Sequence, residues 1–192
     1  GERATVGLQG VSAAAIAPLF PLLVAWLGIG LIVRRLVHPF AWVLAVALMI
    51  PQGLMGMFNP LRIDHHGWQL ALLAVSLAGL TDPKRVRGGV TVGLASAASL
   101  AIGLEMILFL AIAGGQIVLR WVWDDADLRR LRAYALSLAG GTSFFYLAFA
   151  SYANQMPRCD ALTPVWLSVM VTAGALLFAV SWLPLRTPAQ RF

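Results

Sequence analysis

The densest group of residues able to do chemistry lies at positions 62–69, which read Arg-Ile-Asp-His-His-Gly-Trp-Gln. An acid, two imidazoles and a guanidinium here interrupt a chain that is otherwise almost continuously apolar. Ionisable groups near a bilayer are unfavourable unless they are paired or functional, so the cluster is a functional-site hypothesis. Asp64 and one imidazole can supply ligands to a divalent cation, and Arg62 offers a fork of donors suited to phosphate.

Each residue of this cluster also has a structural interpretation. Asp64 follows a turn signal at 59–60 and precedes an apolar run, which favours a helix N-cap, but a cap leaves the two histidines unexplained. Consecutive residues on a helix point about 100° apart, so we expect one of His65 and His66 to bind metal or substrate while the other packs or orients. Trp68 shares the face of Asp64, and a place in the interfacial aromatic belt is its simplest interpretation.

Other acids lie farther along the chain. Glu105 is the only acid in the apolar stretch 88–119, where an unpaired carboxylate would be unfavourable by several kcal/mol or take up a proton. It therefore needs a partner, and two roles are open: a ligand, or a hydrogen-bonded acid that stabilises a chain reversal. Asp160 lies in a loop where a turn or cap role is the simpler interpretation. Near the arginines before residue 133, we expect a solvated, salt-bridged surface formed by Asp124, Asp125 and Asp127.

The elements that must position these residues are membrane helices. Hydrophobic residues make up 60% of the 192 and charged residues 11%, against about 25% charged in soluble domains. The net charge of +6 would fit nucleic acid in a soluble protein, but the basic residues fall in short connections between apolar runs and so report topology. The single cysteine excludes an internal disulfide.

Six apolar runs, at about 20 residues per crossing, lie at 12–33, 40–58, 67–80, 88–119, 133–153 and 165–185. The run 88–119 is too long for one ordinary crossing. Basic residues cluster in four connections, namely Arg34 and Arg35; Lys84, Arg85 and Arg87; Arg120, Arg129, Arg130 and Arg132; and Arg186 and Arg191. If all four connections are cytoplasmic, the stretch 88–119 must cross the membrane twice, as two short helices with a reversal near Gly103-Leu104-Glu105.

The sequence therefore predicts an all-α fold, a polytopic transmembrane helix bundle of about seven spans in one domain over 1–192. Its N-terminus would lie outside and its C-terminus in the cytoplasm. The same topology places residues 62–69, Glu105 and the loop 154–164 on one external face. Because the chain begins with Gly1 rather than Met, we expect a fragment of a longer protein.

Three strings in this order of spans carry a family resemblance: Arg62 to Gln69, Ser99 to Glu105, and Cys159-Asp160-Ala161-Leu162. They resemble bacterial multispanning membrane proteins of the GT-C glycosyltransferase superfamily, distantly similar to the oligosaccharyltransferase catalytic subunit. Such enzymes transfer a sugar from a polyprenyl-phosphate or polyprenyl-diphosphate donor at the external face. The resemblance implies the bacterial cytoplasmic membrane, a site facing the periplasm or exterior, and a lipid-linked sugar donor and an acceptor as partners besides membrane lipids. The placement of the basic residues predicts no nucleic-acid partner.

The resemblance also implies roles for individual residues. Asp64 and Glu105 would be the catalytic acids, and Asp64 with His65 would bind a divalent ion, Mg²⁺ or Mn²⁺. Substrate would contact Arg62, His66, Trp68 and Asp160. The family's first acidic motif has no counterpart after the first span, so it either lies upstream of Gly1 or is missing, and a missing motif would remove the catalytic role. We expect these 192 residues alone to be inactive.

Two other classes of function are open. In a transporter or channel segment, Asp64, Glu105 and the histidines would line a proton or cation path through the membrane. The enzyme instead predicts a one-sided cavity open laterally to lipid. A haem- or metal-binding membrane protein would use His38 with the two histidines of the cluster, but the predicted topology places His38 on the opposite side.

Overall fold

The computed structural model describes residues 10–49, 53–62, 64–156, 161–185 and 187–191. No β-strand occurs among these residues, which confirms the predicted all-α class. The helices are α1 Leu19–Leu36, α2 Ala41–Met49, α3 His66–Leu80, α4 Arg85–Ile102, α5 Ile107–Trp123, α6 Leu128–Phe149, α7 Pro164–Val180 and the short α8 Pro188–Arg191. Short 3-10 segments lie at Gly53–Phe58, Asp125–Asp127 and Tyr152–Gln155.

Within the described ranges, one helical stretch is long and apolar enough to cross a membrane, the 27 residues Gly10–Leu36. Helices α3, α5 and α7 are apolar but have only 15, 17 and 17 residues. At 1.5 Å per residue they measure about 23 to 26 Å, less than the hydrocarbon core of about 30 Å. The count of seven spans and the sidedness of the termini therefore stay predictions.

The long apolar stretch 88–119 is divided as its length predicts. Helix α4 ends at Ile102 and α5 begins at Ile107. The side chain of Arg85, at the start of α4, donates a 3.1 Å hydrogen bond to Asp124, immediately after α5. The two helices therefore run antiparallel, and the chain reverses around Glu105.

The packing of the bundle centres on α6, which lies against α4 and α7, while α3 packs against α1 and α4. Small residues allow the closest approach, because a side chain at Gly89 or Gly93 would collide with the α6 backbone. The largest apolar cluster joins α4, α5 and α6 around Val92, Ile117 and Leu131. This core fixes the positions of the helix ends, where the polar side chains lie.

Polar residues collect at two opposite ends of the bundle. The histidine end contains His65 and His66 at the start of α3 and the turn 103–106 between α4 and α5. Trp166, in the first turn of α7, packs against an apolar cluster that includes Leu104 and so belongs to the same end. The basic end contains the C-terminus of α1, the α3–α4 turn, the α5–α6 connection and α8, joined by hydrogen bonds and ion pairs.

At the basic end, the expectation of a solvated acidic surface is wrong for one residue. Asp127 is 1% exposed; its Oδ2 accepts a hydrogen bond from Arg120 Nε at 2.8 Å, and its Oδ1 forms an ion pair with Arg85 Nε at 2.9 Å. Arg130, 2% exposed, lies 3.5 Å from the same carboxylate. Charges removed from water need such partners, so Asp127 and Arg130 form a buried pair, which Arg85 and Arg120 contact from the surface. Asp125 is exposed, as expected.

Candidate metal centre

The start of α3 positions the two histidines. His65 is the N-cap residue and His66 the first helical residue. The prediction of Asp64 as the N-cap is therefore wrong by one position, but Asp64 still serves the helix, because its Oδ1 accepts the His66 backbone N–H at 3.1 Å. Leu61 leads into this turn with φ of 70°, a left-handed conformation that is unusual for a residue other than glycine.

The imidazoles of His65 and His66 lie side by side. Their centroids are 4.3 Å apart and the rings are stacked, with an interplanar angle of 26°. The divergence expected for two residues within a helix is not observed, because His65 precedes the helix. Both rings can therefore contact the same ligand at the histidine end.

Glu105 contacts this pair from the turn between α4 and α5. Its Oε1 lies 3.0 Å from His65 Nε2, and its Oε2 accepts a 2.5 Å hydrogen bond from Gln69 Nε2. The hydrogen bond from His65 is the main cause that lowers the pKa of Glu105, and a backbone bond and Gln69 add to it against desolvation. The carboxylate thus has the partner that the sequence predicted it to need, although it is partly exposed, and it is ionised at neutral pH.

Gln69 is the residue that sequence analysis missed. It is fully buried in α3 and fixes the second oxygen of Glu105. One signal could have found it: residues four apart share a helix face, and Gln69 lies four positions after His65 in an otherwise apolar helix.

Three side chains form a candidate metal-binding group. One possible ligand atom from each of His65, His66 and Glu105 lies within 4.8 Å of the other two. Bonds of about 2.1 Å would place two ligands of one ion up to about 4.2 Å apart, so the group is close to the size required. The side chains are 48%, 42% and 44% exposed, which leaves the site accessible to ions. Two imidazoles and one carboxylate suit Zn²⁺, Fe²⁺ or Mn²⁺ better than Mg²⁺.

Asp64 lies beside this group rather than within it. Arg62 Nε donates to its Oδ2 at 2.6 Å, and this hydrogen bond is the main cause of the lowered pKa of Asp64. The Oδ1 atom lies 3.6 Å from His66 Nδ1, a buried nitrogen with no hydrogen-bond partner among the described residues. The structure therefore places Glu105, rather than Asp64, against His65, and places Asp64 where it can orient His66.

Two of the predicted substrate-binding residues meet in a small cavity. Arg62, Asp64 and Trp68 line a space of about 100 Å³ beside α1. Ligand pockets for small molecules have volumes of about 300–1,000 Å³, so this cavity fits a phosphate-sized group and not a sugar ring. Asp160, the remaining predicted contact, lies outside the described residues.

No family model, curated protein or solved structure matches this chain. Glycosyl transfer therefore stays a prediction from the residues that carry the resemblance. His38 follows α1, whose last turn contacts the basic end. This position argues against ligation of one haem or metal by all three histidines.

Proposed function

We propose that the histidine end is the metal-binding part of a membrane glycosyltransferase that uses a polyprenyl-phosphate-linked sugar donor, as in the GT-C superfamily. The observation that carries this proposal is the convergence of His65 and His66 with Glu105, a residue 40 positions away. Arg62 adds a cation at the same end of the bundle. Metal, imidazole and guanidinium together are what a departing lipid phosphate requires.

In this proposal His65, His66 and Glu105 hold the divalent ion, which when bound stabilises the negative charge that develops on the leaving phosphate. Asp64 positions His66, since a ligating imidazole commonly has its second nitrogen turned to a carboxylate. Arg62 uses its Nε on Asp64 and its Nη1 on the Gly56 carbonyl. A guanidinium has five N–H donors, so the remaining ones are available to phosphate oxygens.

Metal binding is tested on the purified chain in detergent by calorimetric titration with Zn²⁺ and Mn²⁺. We expect binding near one ion per chain, and a loss of affinity for the ligand variant Glu105→Gln that exceeds the about 10- to 100-fold loss typical of changes beside a ligand. His38→Ala is the matched control, because it removes a histidine that is exposed and distant from the group. Absence of binding by the wild type, or equal losses in both variants, would refute the metal centre.

Sugar transfer is tested in the full-length protein with a polyprenyl-phosphate sugar donor. We expect Asp64→Asn and Glu105→Gln to abolish transfer while His38→Ala retains it. If metal binds as proposed but transfer is unchanged in both acidic variants, the metal centre stands and the glycosyltransferase proposal fails.

A second candidate function, a proton path, is favoured by buried polar atoms on α3 and α4. Ser76, Ser96 and Ser99 are almost completely buried, and their hydroxyls have no hydrogen-bond partner in the described part of the chain. The same is true of Gln69 Oε1, on the side chain that contacts Glu105. Buried hydroxyls are usually bonded to protein or internal water, so these atoms on α3 and α4 are places where bound water could carry a proton.

The two functions are separated by Ser76→Ala combined with Ser96→Ala. A proton path predicts that proteoliposomes of this variant, with a pH-sensitive dye inside, lose proton flux. The transferase predicts no flux in the wild type and full sugar transfer in the variant.

A further inference from the structure

The second site inferred from the structure is a cavity at the basic end, on the opposite side of the bundle from the histidines. It measures about 450 Å³ and lies between α1, α3 and α4. This volume falls within the usual range for small-molecule sites, about 300–1,000 Å³. The cavity shares no lining residue with the histidine end, so binding there is independent of the proposed function.

The helices separate to form this space next to a point of close contact. A Cβ at Gly28 of α1 would lie 2.9 Å from the backbone of Ala74 in α3, so the helices touch there. Beside this contact the wall is apolar on both sides, with Leu27 and Leu31 from α1 and Val75 from α3. Leu27 and Leu31 are also exposed on the outer surface, which leaves the apolar wall open to a lipid chain.

One end of the cavity is polar and has excess positive charge. Asp82, only 4% exposed, accepts hydrogen bonds from Arg87 Nε and Nη2 at 2.6 and 2.9 Å and from Arg35 Nη2 at 3.1 Å. Two guanidinium groups thus share one carboxylate, which leaves a net charge of +1. Arg87 is 54% exposed, and each guanidinium retains N–H donors beyond those used on Asp82.

We propose that this cavity binds a lipid with an anionic phosphate head. Its phosphate contacts Arg35 and Arg87, and one acyl chain lies along Leu27, Leu31 and Val75. The guanidinium groups of arginine match phosphate oxygens in geometry and charge. The apolar residues of the wall would make no favourable contact with a free inorganic ion, whereas they would contact an acyl chain. The cavity is positively charged at one end and apolar along the rest, so its ligand should be an amphiphile with an anionic head.

The proposal is tested by native mass spectrometry of the delipidated chain in detergent, with three matched probes. These are 1-palmitoyl lysophosphatidic acid, monopalmitoylglycerol, which has the same chain without the phosphate, and glycerol 3-phosphate, which has the head without the chain. We expect the first to bind at least about tenfold more tightly than either of the others. Equal binding of glycerol 3-phosphate would indicate a plain phosphate site, and equal binding of monopalmitoylglycerol a plain apolar groove; either result overturns the proposal.

Variants locate the binding. Leu27→Trp fills the cavity, and Arg87→Gln removes a charge at its polar end, so each should weaken lysophosphatidic acid binding about tenfold or more. The controls are Leu19→Trp, on the same helix, and Arg129→Gln, at the same end, neither of which lines the cavity. Leu27 is exposed, so its variant should keep the wild-type unfolding temperature. Unchanged lipid binding by folded Leu27→Trp would refute the site.

Discussion

Gln69 determines how Glu105 is presented to the two histidines. Its amide donates to one carboxylate oxygen, while the other oxygen contacts His65. A ligand held by a second group keeps its orientation, and loss of such groups commonly lowers metal affinity by about 10- to 100-fold. At the scale of single residues, the proposed metal centre thus depends on an amide that is not itself a ligand.

Replacement of this amide should weaken the site without removing a ligand. We expect Gln69→Leu to lower the affinity for Zn²⁺ or Mn²⁺ by about tenfold or more, measured by calorimetric titration. Gln116→Leu, an exposed glutamine on α5, is the control and should bind as the wild type does. Wild-type affinity in Gln69→Leu would show that Glu105 is oriented by other contacts.

Gly103 provides the space in which this contact forms. Its φ of 177° is an extended conformation open to any residue, so the requirement for glycine is steric. A Cβ would collide with the Glu105 carboxylate and lie 2.7 Å from Gln69 Nε2. Both atoms lie at the ends of flexible side chains that can shift, so we expect Gly103→Ala to weaken metal binding by displacing Glu105 and Gln69 and to lower the unfolding free energy by less than the about 1–3 kcal/mol of core overpacking.

Thermal unfolding in detergent measures this effect, and Gly115→Ala supplies the comparison. A Cβ at Gly115, within α5, meets nothing within 4 Å. This variant should be more stable by about 0.4–1 kcal/mol because alanine restricts the unfolded chain. Equal stability of the two alanine variants would contradict the steric argument.

At the scale of elements, a side chain from one helix donates hydrogen bonds to the carbonyls at the end of another. The last carbonyls of a helix have no partners within it, and at the end of α3 a side chain from α6 serves them. Arg130 donates to the carbonyls of Gly79 and Leu80 at 3.0 Å each and to that of Asp82 at 2.7 Å. This contact joins residues about 50 positions apart, so α3 and α6 are stabilised together.

Removal of the Arg130 charge should therefore have a large effect. Arg130→Met leaves these three carbonyls without their donor and removes one of the three guanidinium groups around buried Asp127, and we expect a loss of about 3–5 kcal/mol in unfolding free energy. Arg129→Met changes the neighbouring, exposed residue and should alter stability by less than about 0.5 kcal/mol. Denaturant unfolding of both variants in detergent measures the difference. If the two variants had similar unfolding free energies, water would be able to replace the hydrogen bonds that Arg130 donates.

The turn between α3 and α4 predicts a dependence of stability on pH. Burial raises the pKa of Asp82, but the hydrogen bonds from Arg87 and the Lys84 N–H and the charge of Arg35 outweigh it, so the pKa falls below its ordinary value of 3.8. The unfolded chain then takes up this proton more readily than the folded one. The stabilisation is complete above the unfolded pKa and is lost as pH falls through the folded pKa.

We therefore expect the unfolding free energy of the wild type to fall as pH is lowered below about 4. Asp82→Asn should remove part of this slope, whereas Asp125→Asn, whose side chain is 77% exposed, should retain it. Unfolding curves collected at several pH values in detergent provide the measurement. An unchanged slope in Asp82→Asn would assign the acid sensitivity to other carboxylates.

At the scale of the whole molecule, the sequence predicted the large divisions and missed the contacts within them. Hydropathy and the positions of basic residues predicted the all-α class, the reversal near Glu105, and its placement at the same end as Asp64. They could not predict the stacked histidines or the burial of Asp127 and Arg130. Those features depend on how helices distant in sequence pack, which residue periodicity does not encode.

The sidedness of the two ends is still a prediction that can be measured. In a Cys159→Ser background, Met156→Cys tests the loop before α7, and Ala126→Cys tests the α5–α6 connection; both positions are exposed. A membrane-impermeant maleimide applied to intact cells should label the first and not the second, because basic connections are retained in the cytoplasm. If only Ala126→Cys is labelled, the predicted topology is inverted. If both cysteines are labelled, the prediction that the two ends lie on opposite sides of the membrane is wrong.

Helix α4 sets the distance between the two proposed sites. Its 18 residues measure about 27 Å at 1.5 Å per residue, with Arg87 in the first turn and Glu105 just beyond the last. One phosphate cannot contact both. A lipid in the basic-end cavity and a donor at the histidine end are consequently separate molecules, and an inhibitor that displaces one would act non-competitively toward the other.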